Sequence, residues 1–135
     1  MLLASELLVA ALFGAMLFFS FVMAPLIFMH LDVTSAGRLI RAVFPWYYVM
    51  LASLSGLAAV LLFQLAPLEA GVMLAIASLA LFSRQVLMPR INAMKDLSET
   101  GDTAAEARFN QMHRASVIIN MMQLVGVTAV LIMLA

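Results

Sequence analysis

Long apolar segments separated by short polar connections dominate the chain. A bilayer-spanning helix needs about 20 predominantly apolar residues. Four windows meet this requirement, and they run from about Leu7 to Met29, Trp46 to Leu65, Gly71 to Met88 and Ala115 to Leu134. No internal repeat, low-complexity tract or linker divides them. The pattern therefore predicts an all-α protein, an integral membrane four-helix bundle formed by a single domain over residues 1–135.

The composition agrees with a membrane protein and excludes several other classes. The chain is 66% hydrophobic and 10% charged, whereas soluble domains are about 45–50% apolar and about 25% charged. Its net charge is zero, so we expect no nucleic-acid partner. The absence of cysteine excludes disulfides, thiolate metal sites and a cysteine nucleophile.

Catalytic motifs are also missing from the sequence. It contains no Gly-rich phosphate loop, no HExxH, no GxSxG and no paired carboxylates within the apolar windows. Hydrolase and phosphotransferase chemistry are therefore disfavoured, and we expect a binding protein rather than an enzyme.

The basic residues predict an orientation. All seven Lys and Arg residues lie in or beside the first and third connections, whereas the opposite side carries only Glu6 and Glu69. Loops rich in Lys and Arg stay in the cytoplasm. Both termini are therefore predicted to lie outside, with the two basic connections in the cytoplasm. The basic residues are Arg38, Arg41, Arg84, Arg90, Lys95, Arg108 and Arg114.

The first connection suggests a helix that lies on the membrane surface. Residues Ala36–Phe44 place two arginines three positions apart among apolar residues. Pro45 then suits the first position of a new helix. Trp46, Tyr47 and Tyr48 follow directly, and such rings commonly anchor a helix at the lipid headgroups. We therefore expect these three aromatic residues to be interfacial anchors.

The third connection predicts a protruding hairpin. Thr103 and Glu106 have the spacing of a capping box, in which both side chains bond free amides at a helix start. A helix from there to Leu134 is about 46 Å long, against a hydrocarbon core of about 30 Å. The third helix likewise continues past Pro89 to about Leu97. Helices three and four should therefore protrude into the cytoplasm.

Polar residues recur on one face of the fourth helix. At 100° per residue, a single stripe contains His113, Ser116, Asn120 and Gln123. Lipid offers no hydrogen-bond partners, so the stripe should face the other helices. It could serve only as hydrogen-bonding contact between helices, or it could line a binding pocket.

Arg84 is the most costly residue inside the apolar windows. It lies about 9 Å inside the boundary marked by Arg90, at the depth of Asn120. A charge near mid-helix costs at least ~2.5 kcal/mol on insertion scales. Its side chain could reach outward to the headgroups. Alternatively it could face inward, hydrogen-bonded by Asn120 and Gln123, ready for a carboxylate, phosphate or haem propionate. The predicted ligand-binding set is Arg84, Arg90, His113, Ser116, Asn120 and Gln123.

Two histidines lie near the cytoplasmic interface on antiparallel helices. His30 ends the first apolar window, and His113 precedes the fourth. Paired histidines suit haem b, and a Met/His set suits copper. A metal site formed by His30 and His113 is therefore the alternative prediction.

Four blocks of the sequence, taken in order, resemble the transmembrane-protein-205-like family. This is a four-helix membrane family whose bacterial members carry a domain-of-unknown-function label. The resemblance covers nearly the whole chain, and it implies an integral protein of the bacterial inner membrane with family motifs at the cytoplasmic helix ends. The blocks are Phe21–Phe28, Ala36–Arg38 with Phe44–Tyr48, Pro89–Asn92, and Phe109 with His113–Ser116 and Asn120.

Three functions remain open from the sequence. The favoured one is a membrane protein that binds a small anion or lipid headgroup in a cytoplasm-facing polar cleft, for transport or as an accessory to a larger membrane complex. The second is a haem- or copper-binding redox protein. The third is a purely structural partner. Because four spans enclose little volume, we also expect a homo-oligomer.

Overall fold

The computed structural model describes residues 1–135 as four long helices joined by short turns. They are α1 (Leu2–His30), α2 (Val33–Leu62), α3 (Pro67–Glu99) and α4 (Thr103–Leu134). All four are long and apolar enough to cross a membrane. The predicted all-α four-helix architecture is confirmed.

Each helix packs against two neighbours around a narrow core. Helix α2 lies between α1 and α3, and α4 closes the ring by contacting α1 and α3. Every helix contributes at least one fully buried apolar side chain, such as Leu12, Leu51, Met73 and Val127. Many other large apolar side chains point outward and are exposed. This inside-out distribution suits a bundle whose surroundings are lipid.

Two of the helices contain a π-helical turn just before a proline. The turn at Phe19–Met23 in α1 precedes Pro25, and the turn at Ser83–Leu87 in α3 precedes Pro89. Proline lacks an amide hydrogen, and its ring would clash with the carbonyl four residues earlier. In each turn the residue before the proline instead donates to the carbonyl five positions back. The wider turn shifts the faces of α1 and α3 at this level.

Helix α2 is continuous where two helices were predicted. It runs from Val33 through Pro45 without a break, so the separate surface helix over Ala36–Phe44 and the new start at Pro45 are wrong. An internal proline costs about 3 kcal/mol. Packing on both sides of Pro45 offsets this cost, because Ala36 and Tyr47 are both buried against neighbouring helices.

The continuous α2 also changes the role of its aromatic residues. Tyr47 and Tyr48 are buried inside the bundle, whereas Trp46 is 75% exposed. The prediction that all three are interfacial anchors is therefore wrong for the two tyrosines. Only Trp46 faces the surroundings of the bundle, where an anchor must lie.

Aspartates cap both helices that follow polar turns. The Asp32 carboxylate accepts a hydrogen bond from the Ser35 amide at 3.1 Å, and hydrogen bonds from Ser35 hold the pKa of Asp32 below its ordinary value. Asp102 caps α4 by accepting from the Ala105 amide at 3.0 Å. Thr103, predicted as the cap, is instead the first helical residue. Aspartate is the stronger N-cap of the two.

Candidate functional site: a cavity at the basic end of the bundle

A cavity of about 520 Å³ lies at the end of the bundle that carries the basic residues. Helices α1, α2 and α4 form most of its wall, and α3 contributes Asn92 and Lys95. Thirteen of the 21 lining residues are hydrophobic, so the cavity is apolar with a few polar groups. The other polar or charged lining residues are Ser20, Arg41, His113, Ser116 and Asn120.

Three hydrogen-bonded side chains form a polar junction at the inner end of the cavity. The Tyr47 hydroxyl donates to Asn120 Oδ1 at 2.7 Å, and Asn120 Nδ2 donates to Ser20 Oγ at 2.9 Å. The polar junction, defined by Ser20, Tyr47 and Asn120, links α1, α2 and α4. It confirms that Asn120 faces the bundle, as the helical periodicity predicts.

Aromatic rings make the wall beside the polar junction. The rings of Phe19 and Tyr47 stack with centroids 4.4 Å apart, and Phe44 meets Phe19 edge-on at 5.4 Å. Phe44 also stacks on Tyr48 at 5.7 Å. Offset and edge-on pairs of this kind are favourable beyond the area they bury. The wall is therefore well packed, and the orientation of the Tyr47 hydroxyl is fixed.

Charged groups lie at the opposite end, which we call the mouth of the cavity. Arg41 forms an ion pair with Asp96 at 2.6 Å and also donates to the Asn92 carbonyl at 3.3 Å. This is the only ion pair in the structure. It neutralises Arg41 and ties α2 to α3.

Lys95 is the uncompensated cation at the mouth. Its ammonium group lies 5.2 Å from the centroid of the Phe109 ring, and that ring stacks on His113 at 5.8 Å. A cation over an aromatic face gains about 0.5–1 kcal/mol at exposed sites, and no carboxylate lies within ion-pair distance of Lys95. Lys95 is therefore held at the mouth but remains free to bind an anion.

The structure divides the predicted site residues into two groups. His113, Ser116 and Asn120 line the cavity together, whereas Arg84, Arg90 and Gln123 do not. Within the first group, the Ser116 hydroxyl donates to the carbonyl of His113 at 2.7 Å. These three residues therefore share one face of α4 in the structure, as the sequence predicts.

Arg84 does not make the predicted hydrogen bonds to Asn120 and Gln123. Its Nε donates to the Pro45 carbonyl at 3.3 Å, and its Nη1 donates to Gln85 Oε1 at 3.0 Å. Arg84 lies inside the π-helical turn of α3, where the regular angular spacing of an α-helix no longer applies. The side chain therefore contacts α2 beside Pro45.

Gln123 is buried between α4 and α3, outside the cavity. It is 1% exposed, and its Nε2 donates to the Ile76 carbonyl at 3.0 Å. Its Oε1 has no hydrogen-bond partner in the structure. The geometry gives Gln123 the helix-contact role that the sequence left as one of two alternatives.

The two histidines do not share the cavity. His113 lines it, whereas His30 is exposed, is not part of its wall, and lies 3.2 Å from the Leu26 carbonyl through Nδ1. No group of three or more histidine or carboxylate side chains lies close enough to hold a metal ion. The histidine and carboxylate side chains therefore do not form a metal site with three or more protein ligands.

Four important residues of the cavity were not predicted as site residues. Ser20 and Tyr47 form the polar junction, and Arg41 and Lys95 lie at the mouth. The sequence contains one signal for them, because Ser20 is the only polar residue in the first apolar window between Leu7 and Met29. Arg41 was used only for the orientation and the predicted surface helix, and Lys95 only for the orientation.

The fold and the cavity place the protein in a class: four-helix bundles of membrane type. Its distinguishing feature is a mainly apolar cavity at one end, with basic residues at the mouth. A family model described as a domain of unknown function, DUF4149, matches residues 7–100. The chain belongs to this family, and the match covers most of α1 and all of α2 and α3. No curated protein and no solved structure matches the chain.

Proposed function

We propose that the protein is a non-enzymatic membrane component that binds a phosphate or carboxylate group in this cavity, carried by a lipid or by a small molecule. It would serve transport of that ligand or act as an accessory to a larger membrane complex. The observation that carries the proposal is Lys95, a cation without an ion-pair partner at the mouth of a predominantly apolar cavity.

The charge distribution supports an anionic ligand. The end with the cavity contains seven basic and five acidic residues, whereas the opposite end contains only Glu6 and Glu69. In our proposal the positive end is cytoplasmic, in the inner membrane of a bacterium. In our proposal the chain is also related to the transmembrane-protein-205-like family.

The two basic residues at the mouth, Arg41 and Lys95, have different roles in this proposal. Arg41 already has the Asp96 carboxylate as a partner, in a geometry that fixes its guanidinium. Lys95 has only the face of Phe109. A ligand anion would therefore be bound directly by Lys95, while Arg41 and Asp96 hold α2 and α3 in place around it.

Replacing Lys95 with glutamine should weaken anion binding. One basic residue near an anionic surface contributes about 1 kcal/mol, so we expect an affinity loss of about fivefold. Native mass spectrometry of the purified protein would measure retention of an anionic phospholipid, a zwitterionic phospholipid and inorganic phosphate separately. Retention of the anionic phospholipid alone indicates a lipid ligand, and retention of phosphate indicates a free anion.

Arg114→Gln provides the matched control. Arg114 is an exposed basic residue on α4 near the same end, but it does not line the cavity. The two variants remove the same charge, so they separate a local contact from the general field of the basic end. Equal losses in both variants, or no loss in Lys95→Gln, would contradict the proposed role of Lys95.

A structural role is the second candidate, and the polar junction favours it. Asn120 uses its oxygen and its amide nitrogen for bonds to α2 and α1, as a residue that only holds helices together would. If neither anionic lipid nor phosphate is retained by the native protein, this role replaces the binding proposal.

A further inference from the structure

Helices α1 and α4 are in contact along only part of their length. The first part of α1, Leu2–Phe18, packs along α4. After the π-helical turn, Ala24–His30 makes few contacts with α2 and still fewer with α4. We call the space between Ala24–His30 of α1 and the part of α4 around Val117 the seam.

The cavity extends into the seam, and the side chains there are apolar. Ala24 and Phe28 of α1 and Val117 of α4 all line the cavity. Phe28 and Val117 are also exposed at the surface of the bundle. The wall of the cavity therefore reaches the outer surface of the bundle at Phe28 and Val117, a surface that would contact acyl chains in a membrane.

The order of polar groups through the cavity fits a molecule with a charged head and a long tail. The charge of Lys95 is at the mouth, whereas the polar junction at the inner end already satisfies Asn120 internally. Between them the wall is mainly apolar: Val117 lies about 6 Å along α4 from His113, and the neighbouring Ser116 has its hydroxyl bonded to the His113 carbonyl of its own helix. A small hydrated anion gains nothing from this apolar stretch, but a hydrocarbon chain does.

We propose that the ligand is an anionic membrane lipid that enters sideways through the seam. Its headgroup lies at Lys95, and one acyl chain lies between Ala24–His30 and α4, against Phe28 and Val117. This inference rests on the proposed function, because it identifies the source of the anion that the cavity binds.

Fluorescence quenching by lipids brominated on the acyl chain tests the seam directly. The chain has a single tryptophan, Trp46, so Trp46→Phe removes the native tryptophan fluorescence. Val117→Trp then reports on the seam. Ile118→Trp is the matched control, because Ile118 is the next residue, is 53% exposed against 46% for Val117, and does not line the cavity.

Both variants are placed in zwitterionic bilayers that contain a small fraction of brominated lipid. We expect brominated anionic lipid to be enriched about fivefold beside the indole of Val117→Trp relative to that of Ile118→Trp, the factor that one basic residue contributes near a membrane surface. Brominated zwitterionic lipid should quench both variants equally. Adding Lys95→Gln should remove the preference. Circular dichroism verifies that both variants are folded.

Equal quenching of the two variants by anionic lipid would overturn lateral entry. So would a preference for anionic lipid that persists in Val117→Trp after Lys95→Gln is added, because the headgroup would then not lie at Lys95. Neither result affects the separate measurement of anion retention by Lys95→Gln and Arg114→Gln in native mass spectrometry. Failure of the seam is therefore distinguishable from failure of anion binding itself.

Discussion

Replacing Gly37 with phenylalanine should prevent anionic lipid from binding while the bundle stays folded. Gly37 lies in the middle of the α2 face that lines the cavity, between Val33 and Arg41. A Cβ at Gly37 meets no atom within 4 Å, so the new side chain starts in open space and its ring can occupy the volume that a ligand would fill. We expect at least about a tenfold loss of affinity, equivalent to about 1.4 kcal/mol. Native mass spectrometry with anionic phospholipid measures it.

Gly56→Phe is the control for this experiment. Gly56 is on the same helix and also has open space around its Cβ position, but it lines a different, apolar groove between α2 and α3. This variant should retain anionic lipid as well as the native protein does. Normal retention in Gly37→Phe, or an equal loss in Gly56→Phe, would show that the cavity is not the binding site.

Replacing Asn120 with leucine should destabilise the bundle by about 2 kcal/mol. Hydrogen bonds between membrane helices average about 0.6 kcal/mol and reach about 1.7. The substitution removes two such bonds and leaves the Tyr47 hydroxyl without its acceptor. The free energy of unfolding, measured by titrating a denaturing detergent into a mild one, gives the effect.

Gln123→Leu is the comparison, three residues further along α4. It removes one hydrogen bond, from Nε2 to the Ile76 carbonyl, but it also removes a buried Oε1 that has no partner. An unpaired buried acceptor costs about 1–3 kcal/mol, so the net change should be close to zero or stabilising. If Asn120→Leu is no more destabilising than Gln123→Leu, the polar junction does not hold the three helices together.

The parts of the site on α4 were predictable because α4 is a regular helix. A spacing of 100° per residue places His113, Ser116 and Asn120 on one face, and the structure brings all three to one cavity. The same arithmetic requires unbroken i to i+4 hydrogen bonding. Arg84 was placed only by its depth along α3, which does not determine its direction, and it lies within the π-helical turn that precedes Pro89.

Pro45 was the main source of error in the fold. A proline predicts a helix boundary from local sterics alone, and Pro45 was interpreted in this way. The structure shows a continuous helix there because tertiary packing on both sides outweighs the local cost. The burial of Tyr47 follows from that continuity, so the two errors have one cause.

The cations at the mouth were not predictable from spacing. Arg41 and Asp96 are 55 residues apart, and Lys95 reaches Phe109 on the next helix. Such contacts depend on how the ends of α2, α3 and α4 approach each other. The sequence predicts the sign of the charge at this end, but the identity of the free cation requires the structure.

Photo-crosslinking with an anionic phospholipid that carries a reactive group on its acyl chain tests the central claim most directly. The crosslinked residues of the native protein are mapped by mass spectrometry. We predict that they concentrate in the seam, at Ala24, Phe28 and Val117, and that Lys95→Gln removes this concentration. Crosslinks spread evenly over outward-facing residues such as Val60, Val125 and Ile132 would contradict the existence of a lipid site in this cavity.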